Sequence, residues 1–100
     1  MIRALYYRLR SKEVALEASI KHWERNATRV SNNEKLLLGP NNCPLCMKYN
    51  HFPKVCEGCP VYAETEQKHC EGTDYESILH THASSVAVKG FLNFLKGLRE

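Results

Sequence analysis

Five cysteines crowd the middle of the sequence, and four of them form two C-x-x-C pairs, Cys43/Cys46 and Cys56/Cys59, with nine residues between the pairs. A C-x-x-C turn holds two sulfurs close enough to share one tetrahedral ion, while its backbone N–H groups can point at the thiolates. Two such turns complete a closed structural site of four thiolates, for which zinc is the usual occupant. The spacing between the pairs is shorter than in the common zinc ribbons, but Asn50 and Pro53 offer a reversal. Pro44 and Pro60, inside or just after the knuckles, also suit the motif. The pattern predicts a structural Zn2+ held by Cys43, Cys46, Cys56 and Cys59. Cys70 is either a small buried hydrophobe or an alternative ligand replacing one of the four.

Other cysteine chemistries fit less well. A disulfide frame needs an oxidising compartment and leaves one thiol over among five. A redox C-x-x-C belongs after a strand in an α/β pattern, which this sequence lacks. An iron–sulfur cluster can take four of the five thiols, but the tight ferredoxin run of cysteines is absent. His51 and His69 are further potential ligands, yet four thiolates already fill a tetrahedron, so both read as surface residues.

Two enzyme signatures come close and fail. His22-Trp23-Glu24 followed by Cys43-Pro44-Leu45-Cys46 resembles the H-x-E … P-C-x-x-C pattern of zinc deaminases, but Asn42 precedes Cys43 where proline is required. Trp23 also belongs to an apolar stripe, with no strand pattern nearby to build the sheet that chemistry uses. His80-Thr81-His82 is the one pair that could serve a His-Asn-His-type nuclease, and it falls inside an apolar-periodic helix. No serine or cysteine nucleophile with its base can be assigned. The expectation is a protein that is not an enzyme.

The elements that must position the cysteines lie on either side of them. Leu16, Ile20, Trp23, Ala27 and Val30 recur at alternating spacings of four and three, the stripe of a helix that starts near Ser11 as its N-cap. Glu17 and Lys21 form an i,i+4 pair on its solvent side. Ile2, Leu5, Tyr6 and Leu9 fit a helical face that extends this helix or forms a short separate one. SNNEKLLLGPNN then reads as a loop. Residues 43–72 show no periodicity, so knuckles and turns are expected there in place of regular elements. Thr73-x-x-Glu76 reads as a capping box. After it, Ile78, Val88, Leu92 and Leu95 keep one helical face, and Tyr75, Leu79, His82 and Val86 a neighbouring one. The pattern drifts at Ser84-Ser85 and Gly90 weakens it, so one helix or two remain open. The chain reads as a single domain, 1–100, with an N-terminal helical block (1–31), metal-bound knuckles (43–72) and a C-terminal helical block (73–98). The fold class is mainly α, helical flanks packed around an irregular zinc-bound double-knuckle segment.

Lys21, Arg25 and Arg29 recur every four residues and, with Arg3, Arg8 and Arg10, make the first block basic. Phosphate contact is one reading of that stripe and a solvated helix face is the other. Tyr6, Tyr7, Tyr49 and Phe52 can stack on bases or pack in the core. A formal charge of +3 over one hundred residues permits nucleic-acid contact without requiring it. The amphipathic stripes can equally dock on each other, on a second subunit or on another protein. No apolar run is long enough to cross a bilayer, and MIRALYYRLR lacks the hydrophobic segment of a secretion signal. A cytoplasmic location with reduced thiols is therefore expected, with no membrane partner.

Taken with its flanks, the cysteine-rich segment resembles a group of small zinc-knuckle-like proteins encoded by bacteriophages and prophages. The likeness lies in ALEASIKHWERN (Ala15 to Asn26), CPLC, CEGCPV (Cys56 to Val61) and CEGTDY (Cys70 to Tyr75), although that group carries proline where this chain has Asp74. The resemblance implies that Cys70 belongs to the pattern and is a candidate ligand. It also implies a phage-encoded factor in a bacterial cytoplasm, binding a host or phage protein or nucleic acid; it supplies no mechanism.

Overall fold

The computed structural model describes residues 6–7, 9–38, 43–49, 55–67, 70, 73–80 and 84–99, with 77, 79 and 80 as backbone. Its described elements are five helices, α1 (Lys12–Ser31), α2 (Pro44–Tyr49), α3 (Pro60–Thr65), α4 (Asp74–His80) and α5 (Ser85–Gly97), with no strand among the described residues. The radius of gyration, 12.7 Å, is that of a chain folded around one core.

Helix α1 begins where the sequence places its cap. Ser11 is extended, and its hydroxyl accepts the Val14 amide. Tyr6, Tyr7 and Leu9 are helical, and the Arg10 amide donates to the Tyr7 carbonyl, so a separate turn ends at Arg10 before α1 starts. The stripe of Leu16, Ile20 and Trp23 is buried, with Ala27 and Val30 packed against it. The other calls on the first block, Ile2, Arg3, Leu5 and Arg8, lie outside the described residues.

Alpha-helical flanks on both sides are as expected, but the segment between them is more regular than its sequence suggests. Two six-residue helices, α2 and α3, follow directly on Cys43 and Cys59. Each has proline at its first position, where the missing N–H costs nothing and φ is already helical. Each first turn is closed by an amide donating to the cysteine carbonyl, Met47 to Cys43 and Ala63 to Cys59. Helices this short do not stand alone in water. Buried Leu45, Met47 and Val61 hold them to the core, an anchoring that periodicity over six residues cannot reveal. Asn50, His51, Phe52 and Pro53 lie outside the described residues.

The C-terminal block is two helices. Ser84 is extended and its hydroxyl accepts the Ala87 amide, so α5 has its own N-cap at the point where the apolar pattern drifts. The Leu79 and His80 side chains, Thr81 and His82 fall outside the description. Val86, expected on a neighbouring apolar face, is 82% exposed. Helix α5 packs chiefly on α1, with α4 on α5 and α2 on α1. At the centre Trp23 meets Phe91 edge-on at 4.9 Å between ring centroids, and Tyr75 leans on both. Gly90, which looked like a weak point, lets α4 approach: a Cβ there would stand 2.1 Å from Asp74 Oδ2.

Candidate metal centre

Cys43 stands immediately before α2 and Cys46 in its first turn, Cys59 immediately before α3, and Cys56 in the turn that precedes it. Cys56 takes a left-handed conformation, φ 64°; its amide donates to the Tyr49 carbonyl and its carbonyl accepts the Cys59 amide. Cys70 is also left-handed, φ 61°. All five are free thiols. All five side chains line one cavity of about 20 Å³, closed by Leu45, Tyr49, Val61 and Tyr62 and by Phe91 and Leu95 of α5. That is room for a single water-sized occupant.

The sulfurs affect one another. The Cys46 thiol donates to Cys43 and, with the Cys46 and Leu45 amides and the Ser19 hydroxyl, holds Cys43 well below the usual thiol range although burial opposes this. Cys46 is pushed up, first by that same bond and then by burial and by the neighbouring charges of Cys43, Cys70 and Cys59. Burial pushes Cys59 up to about 11, against the pull of the Tyr62 and Val61 amides. Burial raises Cys70 as well, helped by the charges of Cys43, Cys59 and Cys56. In type and number the donors suit a thiophilic ion such as zinc. As placed, no three His, Cys, Asp or Glu side chains among the described residues are arranged to coordinate one. His69 lies outside the described residues.

A polar face of α1, one step round from its apolar stripe, fixes the approach to this site. Ser19, fully buried, accepts the Leu45 amide at 3.0 Å and has its hydroxyl 3.7 Å from Cys43 Sγ. Fully buried Asn26 grips the backbone of Leu37 at both ends: its amide nitrogen donates to the carbonyl at 3.1 Å and its oxygen accepts the N–H at 3.2 Å. His22 Nε2 donates to the same carbonyl at 3.0 Å, which assigns that nitrogen its proton. Ser19, His22 and Asn26 recur at spacings of three and four. That signal was present in the sequence, but a search for apolar residues alone passes over it.

The remaining candidates are dispersed. Glu24, paired with His22 in the deaminase-like pattern, faces Lys96 at 3.7 Å. Of the basic stripe, Arg29 is occupied, donating to Asn26 Oδ1 at 2.8 Å. Lys21 and Arg25 line an open groove of about 490 Å³ with Tyr6, Tyr7, Glu13 and Glu17. Glu17 is held chiefly by Arg99, which grips it with two bonds of 2.6 and 2.8 Å, so Lys21 is a secondary neighbour and not its main partner.

The described geometry defines a helical protein built around a cysteine-lined cavity, with no helix among the described residues long and apolar enough to cross a membrane. Compared with known proteins, the chain matches no family model, no curated protein and no solved structure.

Proposed function

We propose that this chain is a small zinc-binding accessory protein that acts by protein–protein contact with host or phage machinery, the metal serving structure and not catalysis. The observation that carries this reading is the convergence of five thiols from separate parts of the chain on one ion-sized cavity. Binding would require the sulfurs to rearrange from their present placement and release the Cys46 proton from its bond to Cys43. The return is folding energy for a segment whose two short helices bury only a few apolar side chains. The non-catalytic reading is supported by the partners of His22 and Glu24, which engage the Leu37 carbonyl and Lys96. Native mass spectrometry with and without chelator tests the proposal. One zinc per chain is expected, with a large loss of thermal stability on chelation; an unchanged melting temperature after chelation would refute it.

Nucleic-acid binding is the second reading, favoured by one observation: Lys21 and Arg25 share their groove with Tyr6 and Tyr7. It predicts binding to DNA or RNA that falls steeply with salt and is lost when Lys21 and Arg25 are reversed to glutamate.

A further inference from the structure

Cys70 stands apart from the knuckles in sequence, and two features of its setting give it more than a packing role. Its side chain lines the same cavity as Cys43, Cys46, Cys56 and Cys59, opposite Phe91 and Leu95 of α5. Its backbone is held in a conformation that cysteine rarely adopts. Asn33 and Glu66, also left-handed, follow the ends of α1 and α3, where that conformation is routine. Cys70 terminates none of the five helices and lies instead in a 3₁₀ turn. A non-glycine residue in this region costs on the order of 1–2 kcal/mol and persists where its surroundings enforce it, commonly at ligand clamps. Here Thr73 enforces it: its hydroxyl donates to the Cys70 carbonyl at 2.6 Å and accepts the Tyr75 amide at 3.2 Å. One threonine thus caps the first turn of α4 and ties the Cys70 backbone to it.

We propose that Cys70 is a ligand of the metal centre, so that the ion ties the start of α4 to both knuckles. The inference rests on the zinc reading above. A tetrahedral ion takes four of the five thiolates, so Cys70 displaces one knuckle cysteine into the role of outer neighbour. The ion then joins three chain segments, and its loss loosens α4 as well as α2 and α3.

The test is the full chain loaded with cadmium-113, read by proton–cadmium correlation to the cysteine β-protons, which names the ligands without altering any residue. Correlations to Cys70 and to three of the other four are expected. Correlations to Cys43, Cys46, Cys56 and Cys59 alone would overturn the role of Cys70 while leaving the centre standing. Failure to take up either cadmium or zinc would remove the centre and this inference together. As a second measurement, Cys70→Ser is expected to weaken zinc binding by more than ~100-fold in competition with a chelator, beyond the ~10–100-fold typical of residues that only support a ligand. Wild-type affinity in that variant would also overturn the inference.

Discussion

The Ser19 hydroxyl stands 3.7 Å from Cys43 Sγ while its oxygen accepts the Leu45 amide, so one buried side chain of α1 fixes both a thiol and the helix that carries it. The hydroxyl keeps its proton and a second lone pair for the sulfur, and as donor it favours the Cys43 thiolate. Ser19→Ala leaves the buried Leu45 amide without that acceptor, at a cost of about 1–3 kcal/mol. It should also weaken zinc binding by about 10–100-fold. Chelator competition measures the second effect; affinity unchanged beside a lowered melting temperature would make Ser19 a packing residue only.

Asn26 satisfies both backbone groups of Leu37 from a fully buried position, with Arg29 on its remaining lone pair. Asn26→Ala should destabilise the chain by about 1–3 kcal/mol through the Leu37 amide it leaves without an acceptor, the carbonyl keeping His22 Nε2. Urea unfolding measures this loss. Hydrogen exchange should show the Leu37 amide losing protection before the amides of α1, and an unaltered Leu37 rate would contradict the clamp.

Arg99 lowers the Glu17 pKa below the ordinary carboxylate value of 4.5, first by its hydrogen bonds and then by its charge, with Lys21 adding a little. A lowered acid contributes stability that is present above its unfolded pKa and is lost as pH falls through the folded one. The melting-temperature gap between wild type and Arg99→Gln should therefore be full near neutral pH, narrow below 4.5, and close in stronger acid. Both groups are exposed, so the gap should be small and shrink in high salt. A gap that grows on acidification would exclude this origin.

Gly90 and Asp74 form a coupled pair. Gly90→Ala in an exposed helix interior normally gains about 1 kcal/mol, but here the new methyl meets the Asp74 carboxylate. The exposed Asp74 side chain must swing aside, so the gain should be reduced in the single variant and recovered when Asp74→Ala is added. Strict additivity in that double-mutant cycle would contradict the close approach.

Legibility in the sequence followed the kind of signal each element leaves. Helix α1 was readable because twenty residues give a long apolar period and Ser11 an ordinary cap. The break at Ser84-Ser85 was visible as a drift, yet only the Ser84 cap decides for two helices. Helices α2 and α3 were not readable: six residues hold under two turns, and proline more often signals a break than a first helical residue. For the site, the two C-x-x-C pairs announced themselves by spacing. The Thr73 capping pattern was also visible, although its hydroxyl takes the Tyr75 amide and spends its proton on Cys70. Phe91, a main contact of Trp23, falls three residues after Val88 and four before Leu95, on the face those residues already mark.

The packing of α1 on α5 sets an order on folding. These helices share the core through Trp23 and Phe91, yet the whole stretch from Ser31 to Ser85 must close as a loop before they meet. Loop closure is entropically costly, and slow when the contacts it enables lie far apart in the chain. An ion bound between Cys43 and Cys59 would shorten that loop before the helices search for each other. Zinc supplied before refolding should then accelerate the appearance of Trp23 burial, and zinc supplied afterwards should act mainly on the rate of unfolding.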